Sequence, residues 1–178
     1  KNDFKKIIVA HSHTCALDVN DYLWCFGWGF DGQLGLGNGN DQANPTQIPT
    51  HQWKKVISSK HWNNMCGIDY NDDLRCWGDQ SYSAGANGNG TTSDSYTPTL
   101  IDSSYKFIDV ALERAYGAQA ESTLGCAVTT TGLLRCWGAN GYRYMDDGTT
   151  TDKLAPVSVD SGTQYSKIFL NYNHICGI

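Results

Sequence analysis

Six of the seven cysteines fall in pairs ten residues apart: Cys15 with Cys25, Cys66 with Cys76, and Cys126 with Cys136. The seventh, Cys176, stands near the end of the sequence. The leading cysteines advance by 51, 60 and 50 residues. A period of that size belongs to propeller blades rather than to helical solenoids.

Aligning the chain on its cysteines brings other residues into register. Phe4-Lys5-Lys6-Ile7-Ile8, Trp53-Lys54-Lys55-Val56-Ile57, Tyr105-Lys106-Phe107-Ile108 and Tyr165-Ser166-Lys167-Ile168-Phe169 each open a unit. Leu23-Trp24-Cys25-Phe26-Gly27, Leu74-Arg75-Cys76-Trp77-Gly78 and Leu134-Arg135-Cys136-Trp137-Gly138 follow in three of them. A Gly-, Asn- and Thr-rich loop comes next, and a Pro-led segment (Pro45 and Pro49, Pro98, Pro156) closes each unit. The expected organisation is a single partial propeller over 1–178, with repeats at about 4–52, 53–104 and 105–164 and a partial one at 165–178. Short strands between Gly and Asn turns predict an all-β fold of four-stranded antiparallel blades, about three and a half of them. The one stretch with helix-forming residues is Ala111 to Gln119, in the third unit only. It predicts a short helix and accounts for that unit's ten extra residues, either as a tolerated insertion or as a binding loop.

Each cysteine pair is centred on one residue: Asn20, Asn71 or Thr131. An antiparallel hairpin with a three-residue loop has this symmetry, and its last loop residue must be left-handed. Asp21, Asp72 and Gly132 hold that place, all residue types that tolerate positive φ. The register sets Cys15 opposite Cys25 and Leu17 opposite Leu23, with Ile68 and Leu74, and Val128 and Leu134, as equivalents. Directly opposed side chains are close enough for a disulfide. The expectation is therefore three disulfides, Cys15–Cys25, Cys66–Cys76 and Cys126–Cys136, each contributing somewhat under about 3 kcal/mol by loop-closure entropy. Reduced structural thiols or a metal are the alternatives, although zinc sites bring cysteines two to four residues apart. Cys176 lacks a mate. Its partner is expected on a strand outside this chain, supplied by a longer parent chain or by another molecule.

Charged residues make up 17% of the chain, while aromatics include 6 Trp, 10 Tyr and 5 Phe, the reverse of a disordered composition. With 13 Lys and Arg against 18 Asp and Glu, the net charge of −5 argues against a nucleic-acid surface. The longest aliphatic run, Ile7-Ile8-Val9-Ala10, is too short to span a bilayer. The sequence opens on Lys1 and reads as the interior of a mature or truncated chain. Disulfides on this scale predict an extracellular or cell-surface location.

His13-Thr14-Cys15-Ala16-Leu17, the turn at Asp21, Cys25-Phe26-Gly27 and Gly32-Gln33-Leu34-Gly35-Leu36-Gly37 together resemble one repeat of the regulator of chromosome condensation family. The resemblance covers nearly the whole chain and implies blades of a seven-bladed propeller. The later units depart from the pattern, with Ala84-Gly85-Ala86 in the second and Tyr144-Met145-Asp146 in the third. The histidine two residues before the cysteine is kept as His13 and His174 but is Asn64 and Leu124 elsewhere. Members include a nuclear exchange factor and an extracellular enzyme inhibitor. The cysteine pattern resembles secreted members, in which the propeller serves as a binding or building unit.

Other motifs read as structural. Gly27-x-Gly29-x-x-Gly32 matches a dinucleotide fingerprint, but no helix follows to hold a pyrophosphate. Gly37-Asn38-Gly39-Asn40-Asp41, with Asn87, Asn89 and Asp94 or Asp146, Asp147 and Asp152 in the analogous loops, offers oxygens for calcium without full ligand spacing. No cofactor or metal is expected, calcium being the alternative. His13 and His174 fit a slot where a ring nitrogen can satisfy buried backbone groups. Trp77 and Trp137 fit packing between blades. Asn89-Gly90-Thr91 is the one N-glycosylation acceptor.

No catalytic constellation emerges. The expected function is a non-catalytic extracellular or cell-surface module for structure, adhesion or assembly, through a protein partner or self-association. The alternative is a specific protein-binding propeller. Trp28, Phe30, Tyr142 and Tyr144 are its candidate anchors, since interface energy concentrates in such side chains.

Overall fold

The computed structural model describes residues 3–80, 85–116, 121–160, 162–172 and 174–178. Thirteen strands follow one another there in antiparallel succession, with no helix among the described residues. The first blade holds β1 (Phe4–Val9), β2 (His13–Asp18), β3 (Tyr22–Gly27) and the first part of β4 (Gln42–Ser58). The rest of β4 opens the second blade, with β5 (Asn64–Asp69), β6 (Leu74–Gly78) and β7 (Ser95–Leu100). The third is β8 (Phe107–Tyr116), β9 (Glu121–Thr129), β10 (Leu134–Gly138) and β11 (Lys153–Val159). β12 (Ile168–Asn171) and β13 (His174–Gly177) form a two-stranded sheet that begins a fourth.

β4 is one strand of 17 residues serving two blades: it pairs with β3 between Gln42 and Gln52 and with β5 from Trp53 to Ser58. The prolines sit where pairing tolerates a missing N–H. Pro45 and Pro49 lie in the part of β4 that edges the first blade, Pro98 in β7 and Pro156 in β11.

The central hairpin of each blade has the register expected from the cysteine spacing. Cys15 faces Cys25, Cys66 faces Cys76 and Cys126 faces Cys136, with Leu17–Leu23, Ile68–Leu74 and Val128–Leu134 two residues nearer the turn. Asp21, Asp72 and Gly132 take φ of 67°, 62° and 84° at the end of each turn. A further device holds these turns. Asp18 Oδ1 accepts from the backbone of Asn20 and Tyr22, and Asp69 Oδ1 accepts from Asn71 and Asp73. Thr129 Oγ1 accepts from Leu133 in the third blade. Each side chain satisfies turn donors that the ladder leaves open.

A β-bulge recurs where each first strand begins. Pairing slips between Phe4 and Lys6, Trp53 and Lys55, and Phe107 and Asp109. This corrects the alignment of the third unit: Phe107, not Tyr105, is equivalent to Phe4 and Trp53. Burial supports the same assignment, since Trp53 and Phe107 are both fully buried.

The short helix expected from Ala111 is also corrected. Ala111 to Tyr116 continues β8, paired residue by residue with β9 from Cys126 to Glu121. Residues 117–119 lie outside the described residues. Helix propensity is a weak preference, and here the partner strand and the burial of Val110, Leu112 and Ala115 override it. The extra residues of the third unit therefore lengthen a hairpin, giving ten- and nine-residue strands where the first blade has six in each.

The apolar core lies between blades. Cys15, Leu17, Leu23, Cys25, Leu34 and Ile48 of the first pack against Trp53, Val56, Met65 and Trp77 of the second. Cys66, Ile68, Leu74 and Cys76 meet Phe107, Val110, Leu112, Ala127 and Trp137 of the third. Cys126, Val128, Leu134, Cys136 and Met145 meet Ile168, with Leu170 and Ile175 against them. First strands are also tied across blades: Lys55 pairs with Asp109, whose other oxygen accepts from the Ile168 backbone at 2.8 Å.

Candidate functional site

All three expected cysteine pairs are disulfides, with Cα atoms 4.1 Å apart and no exposed surface. Each lies at the interface with the next blade. Cys176 occupies the equivalent place on β13, opposite Phe169, and is exposed and unbonded.

Antiparallel succession sends two kinds of connection to the same side of the array. These are the links between first and second strands and the long loops between third and fourth strands. They are bonded together: Trp28 N donates to Ser12 O, Asp79 N to Asn63 O, Ala139 N to Thr123 O and Gly141 N to Tyr116 O. The long loops share one backbone design. Asp41, Asp94 and Asp152 each accept a backbone N–H at the loop's start, from Gly29, Gln80 and Asn140, at 2.7–2.8 Å. Left-handed residues then recur at Gly32, Gly85 and Arg143, at Gly35, Gly88 and Asp146, and at Gly37, Gly90 and Gly148. The backbone plan outlasts the Gly-Gln-Leu-Gly-Leu-Gly run that is visible only in the first unit.

The first two loops are each clamped by the following blade. Trp77 Nε1 donates to Gln33 O and Trp137 Nε1 to Ala86 O, both at 3.0 Å, and both indoles are fully buried. Gly88 shows why this contact needs glycine: it is left-handed, and a Cβ there would lie 2.7 Å from Trp137 Cδ1. Trp77 and Trp137 are thus inter-blade packing residues, not an exposed platform.

The carboxylates considered as calcium ligands serve the loops. Asp94 and Asp152 are tethers, and Asp147 pairs with Lys153 while accepting from Asn140, Thr149 N and Thr149 Oγ1. The Lys153 ammonium, with these bonds, holds the Asp147 carboxyl well below the ordinary carboxylate range. Asn89 plays the same part in the second blade, its Oδ1 accepting from Gln80, Thr91 N and Thr91 Oγ1. Its Nδ2 donates to Ser95 Oγ at 3.0 Å. Among the described residues, no three His, Cys, Asp or Glu side chains converge as a metal site.

The histidine expectation needs correction. His13 is buried, yet neither ring nitrogen has a hydrogen-bond partner among the described residues, and burial lowers its pKa to about 4. Asn64 in the equivalent slot is fully bonded, to Asp79 O, Asn87 and Thr123. His174 is exposed.

The four candidate anchors all lie on the loop side, as two pairs. Trp28 and Phe30 of the first blade, 49% and 67% exposed, have ring centroids 6.3 Å apart. Tyr142 and Tyr144 of the third, the former 70% exposed, are 6.1 Å apart. The second blade separates the pairs. Sequence reasoning missed two further rings. Tyr116, at the end of the lengthened β8, and Tyr172, beyond β12, meet edge to face at 5.6 Å, and Tyr116 meets Tyr142 at the same distance. Tyr144 Oη accepts the Tyr116 N–H, and burial raises the Tyr144 phenol pKa. Four tyrosines from three separate segments therefore form one aromatic patch, with the Arg114 guanidinium over Tyr172.

Residues 20–60 match the family model for the regulator of chromosome condensation (RCC1) repeat. The same architecture recurs in Prp20p of Saccharomyces cerevisiae (TM-score 0.67, 16% identity, 89% of this chain and 39% of that one). The chain carries an RCC1 repeat. It is 29% identical over 160 residues to the ultraviolet-B receptor UVR8 of Arabidopsis thaliana, covering 87% of this chain and 34% of that protein. It is 26% identical over 161 residues to the E3 ubiquitin-protein ligase HERC2 of Homo sapiens, covering 88% of this chain and 3% of that protein. The yeast RCC1 protein bound to Kap60 gives a TM-score of 0.68 at 12% identity, over 94% of this chain and 40% of that one. The RCC1-type segment described here thus spans well under half of these relatives.

Proposed function

We propose that this chain is a non-catalytic, protein-binding RCC1-type propeller segment that works outside the reducing cytosol and engages its partner through the loop side. The aromatic set on that side carries the reading. Trp28 and Phe30 are exposed on a loop held by a side-chain tether, a buried indole bond and glycine turns, and Tyr142 on a loop held by a side-chain tether. Rigid aromatic side chains bind at low entropic cost and dominate interface energies. Prp20p, characterised for its binding to Gsp1p and histones, and the RCC1 protein seen bound to Kap60 support protein recognition as the use of such propellers. The three buried disulfides support an extracellular or cell-surface setting.

The test is affinity capture from extracellular fluid on the immobilised chain, beside a variant with Trp28, Phe30, Tyr142 and Tyr144 all changed to Ala. A saturable partner retained by the first and lost by the second is the expected result; equal retention dismisses the loop side as the binding surface. Intact mass before and after reduction should show two hydrogens gained for each of the three bonds. In a eukaryotic secretory host, Asn89 receives an N-linked glycan, read as a mass lost on enzymatic deglycosylation and absent from Thr91→Ala.

A further inference from the structure

The first left-handed position after each tethered loop start is Gly32 in the first blade and Gly85 in the second, with φ of 78° and 88°. In the third it is Arg143, with φ of 62°. Glycine adopts this conformation freely, whereas an L-residue with a long side chain carries a penalty. The local structure does not need the arginine. Arg143 N donates to Asn140 O and its carbonyl accepts from Asp146 N, as Gly32 does with Gly29 and Gly35, so glycine would serve equally. The side chain is exposed and makes no hydrogen bond or ion pair with any described residue. In the same loop Asp147 is engaged with Lys153, and the exposed Asp146 touches Arg143 only through its backbone N–H. A cation with no partner among the described residues, in a conformation that favours glycine, thus lies in the chain between Tyr142 and Tyr144, two members of the four-tyrosine patch.

We propose that Arg143 is a recognition residue that binds a carboxylate in an acidic segment of a protein partner, while Tyr142 and its neighbouring rings cover the apolar groups beside that carboxylate. The inference rests on the protein-binding reading of the loop side. A guanidinium presents a planar fork that matches a carboxylate with two parallel hydrogen bonds. Arginine and tyrosine are also the residues in which interface energy concentrates. A nucleic acid is a poor fit, because the chain's net charge of −5 opposes a polyanion. Backbone strain at Arg143, where both equivalents are glycine, motivates a functional reading of that side chain.

The probes are a synthetic peptide of alternating Glu and Phe, the same peptide with Gln for Glu, and the same with Lys for Glu. Each is titrated against the purified chain by fluorescence anisotropy. The Glu peptide should bind at least about tenfold more tightly than the Gln peptide, the scale of one charge-assisted pair, and the Lys peptide more weakly still. Arg143→Gly should abolish the Glu preference while keeping or raising the melting temperature, because glycine suits the slot. Arg143→Lys should keep only part of the preference. Equal binding of Glu and Gln peptides, no binding of either, or an unchanged preference in Arg143→Gly overturns the assignment. Glu and Gln peptides that bind equally but are both lost on Tyr142→Ala leave the aromatic surface standing and remove only Arg143. Binding untouched by both variants removes the two together.

Discussion

Trp137 of the third blade donates its indole N–H to the carbonyl of Ala86 in the loop of the second, at 3.0 Å. Trp77 and Gln33 repeat the bond one blade earlier. The second and third blades thereby fix the loops of their predecessors, and the exposed residues of those loops inherit the rigidity of the sheet behind them.

Trp137→Phe keeps most of the ring volume and leaves the Ala86 carbonyl unpaired. The expected loss is about 1–3 kcal/mol of unfolding free energy, measured by urea denaturation.

Gly88 and Gly90 separate two effects in one loop. Both are left-handed, with φ of 67° and 80°, but a Cβ at Gly88 meets Trp137 whereas one at Gly90 meets nothing within 4 Å. Gly90→Ala should cost about 1 kcal/mol, the price of an L-residue at positive φ. Gly88→Ala should cost clearly more, and the difference should disappear in a Trp137→Ala background, by double-mutant cycle.

His13 predicts a pH dependence with a definite sign. Burial lowers its folded-state pKa from 6.5 to about 4. Between those values the unfolded chain binds a proton that the folded chain does not, so acidification favours unfolding. The contribution is fully present above about pH 6.5 and falls away towards pH 4, by up to about 3 kcal/mol. His13→Asn, which installs the residue used at Asn64, should flatten that part of the stability profile.

Asn89 and Asp147 accept equivalent bonds in neighbouring blades. Asn89→Asp should therefore be tolerated far better than Asn89→Ala, which should cost about 1–2 kcal/mol by thermal denaturation, because only the alanine removes the acceptor.

How much of this was legible in the residues follows from how local each cause is. The hairpin register and the left-handed Asp21, Asp72 and Gly132 depend on turn chemistry within a few residues, and the cysteine spacing exposes it. Phe107 in place of Tyr105 was hidden because a bulge adds a residue that no spacing reveals. Tyr116 was hidden because its segment favours a helix in isolation, and only pairing with β9 makes it a strand. Tyr172 and Arg143 were hidden for another reason: their meaning comes from neighbours on other segments and from equivalent glycines in other loops. Arg143 did leave a trace, since a register built on the loop tethers sets it opposite Gly32.

The seams between blades differ in kind. Between the first and second, β4 runs unbroken for 17 residues, so neither blade can come apart without tearing a ladder of the other. Between the second and third, β7 ends at Leu100 and β8 begins at Phe107, leaving a six-residue link outside any sheet. Of these two seams, the second should part first when the array is pulled or heated: the first two blades leave as one cooperative block, and amide exchange should mark their common strand as the slowest clock in the molecule.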